Sequence, residues 1–355
     1  MAGENAVCCC APAIPEAPYI IGSTETSVGA VPAVKTELSA KDVLGAFRVR
    51  WGIGRMNYKV EPGIYSIGKP DENSPVLVTA NYKLTFDSLR KELTGLNLWI
   101  LVLNTKGVNV WCAAGKGTFG TKELVFRIKA VKLGEIVKHR TLILPQLGAT
   151  GVAAHAVTKL SGFHVVYGPV RATDIPEFLK AGMKATPEMR EVKFTIKDRV
   201  VLTPVDLVYW MKPLVLFFGA LFVLNAIGLG RFGLSELIGF LGAVITGCVI
   251  TPILLPWIPG RAFSLKGALL GVIWAAASIF LGGGFAGLGV LKAISYILLL
   301  PSVSAYTGMN FTGSSTYTSP TGVNKEMHIA IPIILGVSFL GMIALIVDSI
   351  IKIFS

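Results

Sequence analysis

The sequence predicts an α/β domain with a mostly parallel sheet, followed by an all-α transmembrane domain of five helices. Three observations carry this. Strand-like and helix-like patterns alternate from residue 75 to about 210, the signature of strands joined by helical crossovers. Five apolar stretches of spanning length follow Pro213. Charge thins out at the same place, with seven basic and three acidic residues after position 210, net +4, leaving +8 on the first 210 residues.

Residues 1–45 begin with an Ala-, Pro-, Ser- and Thr-rich run without periodicity and read as a disordered tail. The α/β domain is assigned to 46–210. It opens on "FRVRWGIGRMNYKVEPGIYSIG" (47–68), β-rich and broken by Gly and Pro, which predicts a small antiparallel element. "PVLVTANY", "LNLWILVLN", "TLILPQLG" and "FHVVYGPV" read as strands; "TFDSLRKELTG", "TKELVFRIKAVKLG", "GVAAHAVTKLSG" and "ATDIPEFLKAG" as the helices between and after them. "EVKFTIKDRVVL" reads as a final strand. Ligands on parallel sheets bind beyond the carboxyl ends of strands. That singles out 79–82, 109–117, 145–151 and 167–172, all but the first rich in Gly.

The transmembrane domain is assigned to 211–355, with helices at about 213–230, 235–257, 267–287, 289–308 and 329–353. Basic residues flank the ends on the side of the soluble domain, which favours that domain in the cytoplasm and a multi-pass protein of the inner membrane. The N-terminus lacks the basic and apolar regions of a signal peptide. A polar loop over 309–328 falls on the cytoplasmic side. Glu236, Lys292 and Asp348 lie near helix ends, where snorkelling to the interface is the plain reading. Gly- and Ala-rich spans predict close helix packing.

The net charge of +12 suits membrane lipid headgroups, an anionic cofactor or an acidic protein. No aromatic–basic module supports nucleic acid as a partner. The five cysteines, at 8, 9, 10, 112 and 248, contain no C-x-x-C pair, which argues against a zinc ribbon or an iron–sulfur cluster held by this chain alone. Cys8, Cys9 and Cys10 read either as an exposed tail or as a hook for a thiophilic metal ion. "GKGTFG" (115–120) fits the loose dinucleotide pattern G-x-G-x-x-G, but Glu135 is early for its acidic partner. A P-loop fails, because Val110 stands at its first Gly and Gly117 at its Ser/Thr. His155 reads as a supporting or core residue. On residues alone, Cys112 is open between a packed core thiol and a functional group at a strand end.

"NVWCAAGK" (109–116) resembles, at every position, the motif N-(V/I)-W-C-A-(A/G)-G-K of the HgcA family, the corrinoid protein of the mercury-methylation pair. "LPQLGATGVAAH" and "GFHVVYGPVRATDIPEFL" are similar to the corrinoid domain which that family shares with the large subunit of the corrinoid iron–sulfur protein. "MNFTGSSTYTSPTGVNKEM" is shared with the same relatives. The acetogenic relative also carries a four-cysteine cluster motif and a TIM barrel, and neither is found here.

The resemblance implies a Rossmann-like corrinoid-binding domain and a corrinoid-dependent methyltransferase that hands a methyl group from cobalt to Hg(II). The cofactor would be cobalamin or a related corrinoid, base-off, with its nucleotide tail buried in the domain and Cys112 as the lower axial cobalt ligand. It implies that Asn109 caps the helix beneath the ring, that Trp111 packs beside the ring or anchors that helix, and that Val110 is among the cofactor-binding residues. Ala113, Ala114, Gly115 and Gly117 would lie against the corrin, and Lys116 would meet a propionamide, a phosphate or a partner acid. Gln146, Gly148, Thr150, Gly151, Tyr167, Gly168 and Arg171 would line the tail pocket. The implied partners are HgcB, a ferredoxin-like protein with two [4Fe–4S] clusters, as electron donor, and a methyltetrahydrofolate-linked methyl donor. Two other functions stay open: a corrinoid methyl carrier of one-carbon metabolism, and a membrane protein with a nucleotide-binding regulatory domain.

Overall fold

The computed structural model describes residues 17–228, 232–314 and 320–354. The chain divides into two compact units. One holds the residues up to Val49 with Ile53–Val192; the other holds Arg50–Gly52 with the chain from Lys193 onward.

The first unit is built on seven strands: β1 (Ile20–Thr26), β2 (Gly29–Val34), β3 (Gly63–Ile67), β4 (Val76–Ala80), β5 (Leu98–Leu103), β6 (Thr141–Leu144) and β7 (His164–Tyr167). Their order in the sheet is β1-β2-β3-β5-β4-β6-β7. β5, β4, β6 and β7 are parallel, as are β2 and β3; β1–β2 and β3–β5 are antiparallel. The helices are α1 (Ala40–Arg50), α2 (Lys83–Arg90), α3 (Val110–Gly115), α4 (Thr121–Ala130), α5 (Leu133–Ile136), α6 (Ala154–Ser161), α7 (Ile175–Lys180) and α8 (Pro187–Arg190).

Alternation along β5 shows why both faces are covered. Trp99, Leu101 and Leu103 enter the core shared with α3, α4, α5 and α6, while Leu98, Ile100 and Val102 enter the core shared with α2 and α7. The chain leaves β4 for β5 on one side, then crosses to β6 on the other. The sheet therefore reverses its winding between β4 and β6, where such sheets open a crevice.

Three sequence expectations need correction here. Residues 1–16 lie outside the described residues, but the assigned tail is structured from β1 onward. Val31 and Val34 are buried in the two cores, which composition alone does not reveal. "FRVR" finishes α1, and of the segment 47–68 only β3 is a strand, paired with β5 inside the main sheet. The segment "EVKFTIKDRVVL" is no strand. Thr195 and Asp198 form a reciprocal cap, with Thr195 N–H donating to Asp198 Oδ2 at 2.8 Å, and start α9 (Ile196–Val200). The boundary between units thus falls near 192, not 210.

A buried ion network ties α1 to α2. Lys83 contacts Asp42 and Asp87 at 2.6 Å each, and Arg90, fully buried, contacts Asp42 at 2.9 Å and Asp87 at 2.8 Å. Burial alone would raise the Asp42 carboxyl; hydrogen bonds from Lys83 and Ser39 outweigh it and hold the group well below the usual carboxylate range.

The second unit continues with α10 (Thr203–Ala226), α11 (Leu234–Ile245), a π turn at Thr246–Ile250, α12 (Thr251–Leu254), α13 (Phe263–Leu281), α14 (Gly284–Leu288), α15 (Val290–Asn310) and α16 (Pro320–Phe354). Among the described residues, five helical segments are long and apolar enough to cross a membrane. Close packing rests on missing side chains. A methyl at Gly271 would sit 2.6 Å from Pro301 Cα, and Trp274 Nε1 donates to Gly239 O at 2.8 Å. Glu236 does not snorkel: it is buried and ion-paired with Lys292. Asp348 pairs with Lys352 at 2.8 Å. The polar segment 309–328 is largely helical, ending α15 and beginning α16, with 315–319 outside the described residues.

Candidate functional site

The crevice between β4 and β6 holds a cavity of about 320 Å³. Leu77, Val78 and Thr79 of β4 line it, with Ile143 and Leu144 of β6 and Pro145 beyond. Gly168, Pro169 and Val170 after β7 close a further side, and Thr85, Ser88 and Leu89 of α2 another. The lid over it is the start of α3, through Asn109, Val110 and Trp111. A few hydroxyls in an apolar wall suit a largely apolar guest fixed by a small number of polar contacts.

The short helix α3 is held at both ends. Asn109 is its N-cap, its Oδ1 accepting from Cys112 N–H at 2.9 Å. At the other end Thr118 N–H donates to Ala113 O at 2.9 Å and Gly117 N–H to Ala114 O at 3.2 Å. This double bond pattern requires a left-handed residue, and Gly117 has φ +76°. Gly117 therefore stops the helix. The pattern "GKGTFG" starts at a helix end and not after a strand, which removes the structural context of a dinucleotide fingerprint.

The loop before α3 is organised by a residue of the strand-end segment 79–82 to which sequence reading assigns no individual role. The buried Asn81 Oδ1 accepts from Thr105 N–H at 3.0 Å, Thr105 Oγ1 at 2.9 Å and Gly107 N–H at 3.0 Å. Its only sequence signal is its place at the end of β4.

The faces of α3 differ. Val110, Ala113 and Ala114 are buried in the core, Trp111 and Cys112 are half-buried, and Gly115, Lys116 and Gly117 are exposed. A methyl on Gly115 would meet nothing within 4 Å. Cys112 is thus an unpaired thiol on the open side of a helix whose backbone is fixed. Cys248 is buried in the second unit. Cys8, Cys9 and Cys10 lie outside the described residues.

The remaining predicted contacts separate into two groups. Gly168 lines the cavity, where Cβ would come within 3.1 Å of Ile143 Cγ2. Gly148 faces the Phe119 ring just after α3, and Gly151 faces Phe119 and Ala114 of α3. A methyl at Gly148 would lie 2.5 Å from the Phe119 ring, and one at Gly151 would overlap the Phe119 carbonyl oxygen and lie 2.9 Å from Ala114 Cα. These glycines let the loop after β6 support α3. Tyr167 Oη donates to Val152 O at 2.7 Å, and burial raises its phenol. Thr150 is exposed, Arg171 is half-buried and neither lines the cavity. His155 is exposed, not core. Gln146 is half-buried, but its Oε1 is buried without a hydrogen-bond partner, an acceptor awaiting a donor.

Residues 44–179 match the family model CdhD, described as CO dehydrogenase/acetyl-CoA synthase delta subunit. The gamma subunit of the acetyl-CoA decarbonylase/synthase complex of Methanopyrus kandleri is 36% identical over 124 residues, 34% of this chain and 26% of that protein. The corrinoid/iron-sulfur protein large subunit of Moorella thermoacetica is 34% identical over 127 residues, 35% of this chain and 28% of that protein. The chain spans about a quarter of the length of these curated relatives. The CdhD match encloses β3 to β7 and all of α3, and stops before the five apolar helices and the 309–327 segment.

Proposed function

We propose that this chain is a membrane-anchored corrinoid methyltransferase whose methyl acceptor is Hg(II), with Cys112 as the lower axial cobalt ligand. The observation that carries the reading is Cys112 itself, a half-buried thiol without a disulfide on a helix capped at both ends, next in sequence to Trp111, which lines the switch-point cavity.

The residues present fit a base-off corrinoid. The apolar cavity between β4 and β6 has the character needed for a detached nucleotide tail, with Thr79, Thr85 and Ser88 as its polar contacts. Gly115 leaves the helix face open to a flat macrocycle, and the buried Gln146 Oε1, without a hydrogen-bond partner among the described residues, is an acceptor for a donor on the cofactor. A corrinoid supplies a cobalt that carries and releases a methyl group. The chain's part is orientation and donation. Asn109 and Gly117 fix the backbone of α3, and with it the place of the Cys112 Cα. Its sulfur would supply a soft, strong donor to a corrinoid cobalt. Exposed Lys116 sits beside it to meet an anionic group.

The same proposal places the protein in the inner membrane with its first unit in the cytoplasm. HgcB, with its two [4Fe–4S] clusters, would serve as electron source and a methyltetrahydrofolate-linked protein as methyl source. A second reading, a methyl carrier of one-carbon metabolism, is favoured by the printed names of the acetyl-CoA decarbonylase/synthase relatives. Detergent-purified protein loaded with methylcobalamin and given Hg(II) under single-turnover conditions separates the two. Methylmercury formed by wild type and lost in Cys112→Ala supports the first; bound corrinoid with no transfer to Hg(II) supports the second.

A further inference from the structure

The cavity between β4 and β6 has two chemically unlike sides. Its polar side chains come from β4, α2 and the start of α3: Thr79, Thr85, Ser88 and Asn109, beside the Trp111 indole. Every side chain it takes from β6 onward is apolar, as in Ile143, Leu144, Leu147, Pro169, Val170 and Ile175.

The backbone of that far side adds few hydrogen-bonding groups. Pro145 and Pro169 carry no N–H. The N–H groups of Gly168 and Val170 already donate to Leu144 O and Met189 O, each at 2.8 Å, and that of Ile175 donates to Ala172 O. Leu144 O is thereby engaged as an acceptor, and Pro145 O accepts from Gly148 N–H at 2.9 Å. A flat guest laid against this side meets hydrocarbon and backbone groups that are already paired. At about 320 Å³ the cavity lies near the lower end for ligand sites, ~300–1,000 Å³, with room for a base and its sugar and not for a macrocycle.

We infer, resting on the corrinoid reading proposed above, that this cavity selects corrinoids by the base of the nucleotide tail: phenols and methylated benzimidazoles, which present a hydrocarbon edge, are favoured over purines. The base lies toward the side built from β6 onward, and the hydroxyls of Thr79, Thr85 and Ser88 serve the sugar and phosphate. A purine brings ring nitrogens and an exocyclic amine that exchange water for nothing on the far side. Each buried polar group left unpaired should weaken binding by about tenfold.

The test uses the full chain in detergent, with equilibrium dialysis read by visible absorption. It compares a corrinoid carrying p-cresol as its base, one carrying adenine, and cobinamide, which lacks the nucleotide. Cresol cannot ligate cobalt and adenine ligates it weakly, so both tails are free and detachment from cobalt does not mask the comparison. The cresol form should bind about tenfold or more tightly than the adenine form, and cobinamide more weakly than the cresol form. Val170→Thr adds a hydroxyl to the far side with little change of shape and should narrow the cresol-to-adenine ratio severalfold. A wild-type ratio near one, or in favour of adenine, with both forms binding more tightly than cobinamide, overturns the selection and leaves the corrinoid reading standing. An unchanged ratio in Val170→Thr, shown to be folded by its thermal transition, also overturns it. Cobinamide binding as tightly as the cresol form, or no corrinoid binding at all, removes the tail from the cavity and overturns both.

Discussion

Gly151 and Gly115 offer the same substitution at two positions of opposite consequence. Gly151→Ala adds a methyl that overlaps the Phe119 carbonyl oxygen and lies 2.9 Å from Ala114 Cα. Both are backbone atoms, so rotamer changes cannot relieve the clash; either α3 or the loop after β6 must move. Overpacking of this kind costs about 1–3 kcal/mol. For a unit of this size that lowers Tm by roughly 2–12 °C. Gly115→Ala meets nothing within 4 Å and its φ is not positive, so stability should stay within about 1 kcal/mol or rise slightly. Corrinoid binding divides the pair differently. The Gly115 methyl projects from the face proposed to meet the macrocycle, so that variant should be stable yet bind cobalamin more weakly. Thermal unfolding followed by tryptophan fluorescence, with cobalamin titration by visible absorption, measures both. Gly151→Ala unfolding with wild type, or Gly115→Ala binding cobalamin at wild-type affinity, would refute the reasoning.

Arg90→Ala leaves two buried carboxylates, Asp42 and Asp87, to share the single charge of Lys83 and should cost about 3–5 kcal/mol, read in the same melt. The Asp42 carboxyl is depressed in the folded state, so its contribution is present above the unfolded value near pH 4 and is lost as pH falls below it. Asp42→Asn should therefore flatten stability against pH in acid; an unchanged acid slope would contradict the network. Asn81→Ala leaves three donors of the 105–107 loop without their acceptor and should destabilise by about 1–3 kcal/mol or more, with faster hydrogen exchange at Gly107 and Val108. Cys8, Cys9 and Cys10 changed together to Ala should leave the corrinoid spectrum intact and lower methylmercury yield at limiting Hg(II).

Legibility differed by region for physical reasons. The parallel strands were readable because a strand buried on both faces is a short, nearly unbroken apolar run, as in "LWILVL". Spanning helices were readable from length and hydropathy alone. β1 and β2 were not, since their half-buried small residues resemble a linker in composition. α9 was misread because "VKFTIK" alternates like a strand while Thr195 and Asp198 cap a helix. At the site, the four strand-end segments were readable. Which residues face the cavity was not: Gly148 and Gly151 mark close approach to α3 and Phe119, and glycine looks the same whether the neighbour is a ligand or the protein itself.

The visible absorption spectrum of cobalamin-loaded protein bears most directly on Cys112. Wild type should show a cobalt–thiolate pattern distinct from water- or imidazole-ligated cobalamin. Cys112→Ala should lose that pattern while retaining corrinoid through the cavity between β4 and β6, and Cys112→His should give an imidazole-type spectrum. Identical wild-type and Cys112→Ala spectra, with corrinoid bound in both, would show that the thiol only packs and contradict the central claim.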